Sequence, residues 1–152
     1  MGYATKHNVK MLFRDFPVDA DAAVTDIHLD AFLDQSTALI DARLKGLYEL
    51  PITELGNPAS FSLLAHIQAM YVASIVDDIL NNYSEADKKP TWYKKAMEQL
   101  NMIAPIKNPK GEQAEPSSFL PDATYLGTNI QKGKFKLSST DTTIFKKGAD
   151  NW

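Results

Sequence analysis

Apolar residues recur with a period near 3.6 through the first two thirds of the chain, and that spacing marks helices. A short first helix is expected from Thr5 to about Phe13. Thr5 suits an N-cap, and Val9, Leu12, Phe13 and Phe16 share one face until Pro17 ends the pattern. The acidic loop PVDADAAVTD follows. Thr25 then caps a long amphipathic helix, with Asp26 in its first turn favourable to the helix dipole. Leu29, Phe32, Leu33, Ser36, Ile40, Leu44 and Leu47 form its buried stripe; Asp30, Asp34, Asp41 and Lys45 form the opposite face. Gly46 stands at its end, where a left-handed residue costs glycine little. Tyr48, Leu50 and Pro51 make an extended, stiffened exit.

The polar linker TELGNPAS leads to a third helix, from near Ser60 to about Asn81. Apolar residues from Leu63 to Leu80 almost encircle it, so it is expected at the centre of the bundle. Pro90 opens a fourth helix, whose buried face is Trp92, Tyr93, Ala96, Met97, Leu100 and Ile103; Pro105 stops it. Beyond that the periodicity fails. Residues 105–152 carry four prolines and four glycines, with one alternating stretch, Lys134-Phe135-Lys136-Leu137, and another around Ile144-Phe145. These read as a hairpin or an edge strand. The expected fold is mainly α: a four-helix bundle over 1–104 and an extended C-terminal arm over 105–152.

The arm poses an energetic problem. Each ordered residue costs about 1–2 kcal/mol of backbone entropy. Its few large apolar groups, at roughly 1.5–3 kcal/mol each, do not offset that cost alone. Ordering the arm therefore calls for other chains. Its anchors are expected to be Phe119, Tyr125, Phe135, Leu137, Ile144, Phe145 and Trp152. Removing 105–152 is expected to leave a folded body that cannot attach.

Charge and composition narrow the function. The net charge of -3 disfavours a general nucleic-acid binder. The body is acidic and the arm mildly basic. There is no cysteine, which excludes disulfides, thiolate nucleophiles and cysteine-based zinc sites. The start lacks the apolar core of a signal peptide, and no apolar run is expected to reach membrane-spanning length.

Candidate chemistry is sparse. Asp19, Asp21 and Asp30 have a calcium-loop spacing, but Val24 replaces the required glycine and Ala23 a ligand. An acidic loop is the expected reading. Gly127 to Gly133-Lys134 has five intervening residues where a phosphate loop needs four, and Phe135 replaces the magnesium-binding hydroxyl. His7, His28 and His66 fall on three different helices, without ligand or nucleophile spacing. No catalytic residue, metal or cofactor is expected. Asp78 projects onto the Leu64, Ile67 and Tyr71 face of the third helix. Either it forms a structural pair with Arg43, or the helix end is exposed.

Taken together, "YATKHNVKMLF", "IDARLKGLYELP", "LLAHIQAMYVASIVDD" and "WYKKAMEQLNMI" resemble the head–tail connector (adaptor, or head-completion) proteins of tailed bacteriophages, including the Mu-like group. The resemblance covers about residues 3–104. It implies a helical subunit without enzymatic activity, assembled as a ring, typically of twelve copies, beneath the portal protein. Such a ring continues the DNA channel without specific DNA binding and docks a tail, stopper or terminator protein. The implied location is the virion neck, after assembly in the bacterial cytoplasm and away from membranes. Gly46, Tyr48 and Pro51 would form a rigid corner that turns the chain across the bundle. The arm would lie on a neighbour or on the portal. Two other readings stand beside it: a neck or terminator subunit on the tail side, and a non-viral helical binding module whose tail folds on a partner.

Overall fold

A computed structural model describes residues 2–14, 16, 23–81 and 91–127. Within them the chain is mainly α, with four helices: α1 (Lys6–Lys10), α2 (Asp26–Leu44), α3 (Pro58–Asn81) and α4 (Thr91–Ile103). No strand occurs among the described residues. The Lys134–Leu137 and Ile144–Phe145 stretches lie outside them, as do Asp19 and Asp21.

Local chemistry sets the boundaries. Thr5 and Asn8 form a capping box on α1, and Thr25 and His28 form another on α2. Each satisfies backbone donors that the helix leaves open. Gly46 has φ 87°, the left-handed conformation expected after a helix end. It ends α2 at Leu44, one turn earlier than the stripe through Leu47 suggested. Leu47 is still buried, because the chain folds back and donates its N–H to Leu44 O at 2.9 Å.

α3 is central and packs against the other three helices. Two apolar clusters line it. One joins Ile40, Leu44, Tyr48, Leu64, Leu100 and Leu120; the other joins Val9, Val24, Leu29, Leu33, Val72 and Val76. By length and composition α3 could cross a membrane, with a mean hydropathy of 1.5 over its most apolar window. That corrects the expectation from sequence, in which the interspersed Gln68 and serines obscured the run. In this fold 56% of that window is buried against the protein itself.

Gln68 is the largest of the buried polar side chains among the described residues, beside Ser36, Ser60 and Ser74, and has no exposure. Its Oε1 accepts the Ala4 N–H at 2.6 Å. Its Nε2 donates to Leu33 O at 2.7 Å and to the Ser36 and Thr37 hydroxyls at 2.8 Å. One side chain thus ties the N-terminal segment to α2 and α3. Gly2 fits beside it only for want of a side chain: a Cβ there would sit 2.8 Å from Thr37 Oγ1. Gln68→Leu should strand the Ala4 N–H and cost about 1–3 kcal/mol. Faster amide exchange over Ala4–Val9 is the expected signature; unchanged exchange would remove Gln68 from this role.

The Arg43–Asp78 pair does not form. Asp78 is exposed near the end of α3, the second of the two arrangements considered above. Arg43 instead caps α4, donating from Nε and Nη2 to Ala104 O at 3.2 and 2.8 Å, and from Nη2 to Asn101 Oδ1. A C-terminal carbonyl, already negative by the helix dipole, is a ready partner for a guanidinium.

Candidate functional site: the corner and the root of the C-terminal segment

The corner after α2 is built on Tyr48. Its side chain is 1% exposed, and its hydroxyl donates to Ile103 O at 3.0 Å. Burial pushes the phenol above its ordinary pKa. The Leu50–Pro51 peptide that follows is cis, and Ile52 returns to the core.

Residues 116–127 close over this corner. Tyr48 and Tyr125 form an isolated antiparallel bridge, flanked by Glu49 N–H to Thr124 O at 3.0 Å and Leu126 N–H to Leu47 O at 2.7 Å. The two tyrosine rings meet edge to face at 5.5 Å, and Phe119 stacks on Tyr125 in the same way at 4.9 Å. Leu120 is 3% exposed in the core.

Asp122 makes the second tie. It caps α3 from a distant part of the sequence: Oδ2 accepts Ala59 N–H and Oδ1 accepts Ser60 N–H, each at 2.9 Å. The Ser60 hydroxyl also donates to Oδ1, and Asn57 Nδ2 donates to Asp122 O at 2.7 Å. The hydrogen bond from Ser60, followed by those from the backbone, holds the Asp122 carboxyl below its usual pKa. A depressed folded pKa contributes stability above the unfolded value, and that stability is lost as pH falls through the folded one. Acid unfolding should therefore begin at a higher pH in Ser60→Ala than in the parent, and Ser60→Ala should be the less stable of the two at neutral pH. A pH titration followed by far-UV circular dichroism checks both; superimposable acid limbs would contradict the cap.

The candidate residues therefore divide. Gly46, Tyr48 and Pro51 form the corner. Tyr125 is a half-buried part of the body, wedged against Tyr48, while Phe119 is 51% exposed beside it. Phe135, Leu137, Ile144, Phe145 and Trp152 lie outside the described residues. The stretch 116–127, expected within the arm, packs on the helices, whereas most of 105–115 is exposed. A cleft of about 230 Å³ opens next to the corner, lined by Lys45, Lys107, Gln113, Tyr125 and Gly127 among others. Gly127, at its rim, is the root of the remaining C-terminal segment.

Sequence reasoning missed Asp122 and Gln68. The linker Asn57-Pro58-Ala59-Ser60 gave a signal for the first, since α3 begins there without an acidic residue in its first turn. Nothing local pointed to the residue that supplies the charge. Among the described residues no three His, Asp or Glu side chains gather as a metal site. His28 is engaged in the α2 capping box, where Nδ1 meets Thr25 N–H at 3.2 Å.

No protein-family model matches this chain, and no curated protein or solved structure matches it.

Proposed function

We propose that this chain is a structural subunit of a head–tail connector ring, seated between a portal and the tail or stopper. The observation that carries the reading is the clamp on residues 116–127. Tyr48, Asn57 and Ser60 hold that segment by side chain and backbone. Residues 128–152 thus follow a segment that is tied to the helices. They carry Phe135, Leu137, Ile144, Phe145 and Trp152, with five lysines against two aspartates. Residues 1–127 carry eleven Lys/Arg against seventeen Asp/Glu. An acidic body suits a DNA conduit, because negative walls do not grip the passing phosphates. The basic, apolar arm suits a docking strap, and its alternating 134–137 stretch suits strand addition to a partner sheet. Ring repetition makes weak single contacts strong together.

The test is an image of the assembled particle by cryo-electron microscopy, with the full chain and with a chain lacking 128–152. A ring whose arms lie on portal subunits, lost in the shortened protein, is the expected result. Normal attachment of the shortened protein, or a single copy on an unrelated partner, would overturn the reading.

A further inference from the structure

Two outward faces of the bundle are unpartnered among the described residues and complementary. On α2, Ile27, Ala31, Asp34 and Ala38 follow one exposed line at helical spacing. Ile27 is 79% exposed. Asp26 and Asp30 are engaged by Lys10 and Lys6 at 2.7 and 2.9 Å, but Asp34 has no ion-pair partner among the described residues. On α4, Lys94, Lys95, Glu98 and Met102 form the exposed side, and Met102 is 48% exposed. Neither lysine has an ion-pair partner among the described residues. They also lie near the positive end of their helix, which has no acidic residue in its first turn.

The spacing matches. Ile27 precedes Asp34 by seven residues, and Lys95 precedes Met102 by seven. At about 1.5 Å of rise per residue, each helix sets its charge roughly 10 Å from its apolar residue. Antiparallel contact brings Asp34 to Lys95 and Ile27 to Met102 together. α2 and α4 both flank α3, so one copy offers both faces at once.

We infer that the α2 face of one copy docks antiparallel on the α4 face of a second copy, with Asp34 against Lys95 and Ile27 against Met102. This contact joins unlike patches, and such a head-to-tail contact closes into a ring or extends into a filament. Charge complementarity selects the second copy as occupant. The α2 line presents an acid beside an apolar knob, and the α4 line presents two lysines beside another, with Glu98 falling opposite Ala31 and not opposite Asp34 in this register. The inference rests on the ring reading above and names its subunit contact.

The absence of cysteine makes the test direct. Full-length Ile27→Cys and Met102→Cys chains are mixed under mild oxidation. Both sites are exposed, and far-UV circular dichroism confirms that the variants fold. The mixed disulfide should dominate over either homodimer. Adding Asp34→Lys to the first chain should lower its yield about five-fold, and Lys95→Glu in the second should restore it. Equal amounts of the three dimers, or a yield indifferent to charge, would overturn the contact. Sedimentation of the parent chain separates the two failures. A multimer without the Ile27–Met102 link leaves the ring and removes this interface; a monomer without it removes both.

Discussion

Removing residues 128–152 should leave the thermal midpoint of the body nearly unchanged, whereas removing 105–152 should unfold it or leave it severely weakened. The longer deletion was expected from sequence to spare the fold. The structure reverses that expectation because 116–127, which the longer deletion removes, packs on the bundle. It takes away Leu120, 3% exposed and worth about 1.5–3 kcal/mol of burial. It removes the acceptor of the first α3 amides, leaving Ser60 and its N–H without Asp122. It also uncovers Tyr48, whose ring loses Tyr125, and takes the Thr124 carbonyl and the Leu126 amide from the corner. Together these losses amount to several kcal/mol, against a total stability of roughly 5–15 kcal/mol for such a domain. Differential scanning calorimetry of the two deletions decides the matter. Equal midpoints would mean that the 116–127 clamp adds nothing.

Tyr48→Ala should be the most damaging point change at the corner. It empties a site that is 1% exposed, and truncating a buried aromatic costs about 3–5 kcal/mol. Tyr48→Phe keeps the ring but leaves Ile103 O without its hydroxyl donor, so about 1–2 kcal/mol is expected. The two variants separate packing from hydrogen bonding. The alanine variant should also raise protease cleavage near Gly127, because Tyr125 then keeps only Phe119 as a ring partner and the root of the arm loosens. Urea denaturation of both variants, with limited proteolysis of the first, gives the comparison. A phenylalanine variant as weak as the alanine one would assign the effect to the Ile103 bond alone.

The helical architecture was legible because local signals agreed. Thr5 and Thr25 announced two helix starts, the α2 stripe named Leu29, Leu33, Ile40 and Leu44 as core, and Gly46 marked the turn that its positive φ confirms. What escaped was long-range. Asp122 meets Ser60 across 62 positions and Gln68 meets Ala4 across 64, and no periodicity encodes either contact. The same lack of periodicity made 105–127 read as an arm. A segment without helix or strand can still pack when a single leucine, a bridge to a corner and one carboxylate fix it. Asp78 left two arrangements open: its helical angle is that of the core, but it is exposed near the end of α3, so angle alone does not determine burial.

The reach of Asp122 back to the start of α3 also orders events in time. During synthesis the N-terminal parts of a chain emerge and begin to fold first. All four helices are therefore made before the carboxylate that finishes the third one exists. The helical body reaches its final form only after Asp122 has been produced. A product terminated between Ile103 and Asp122 carries all four described helices yet lacks the closing piece. In the ring proposed above, that arrangement would bar fragments from the multimer by their own instability.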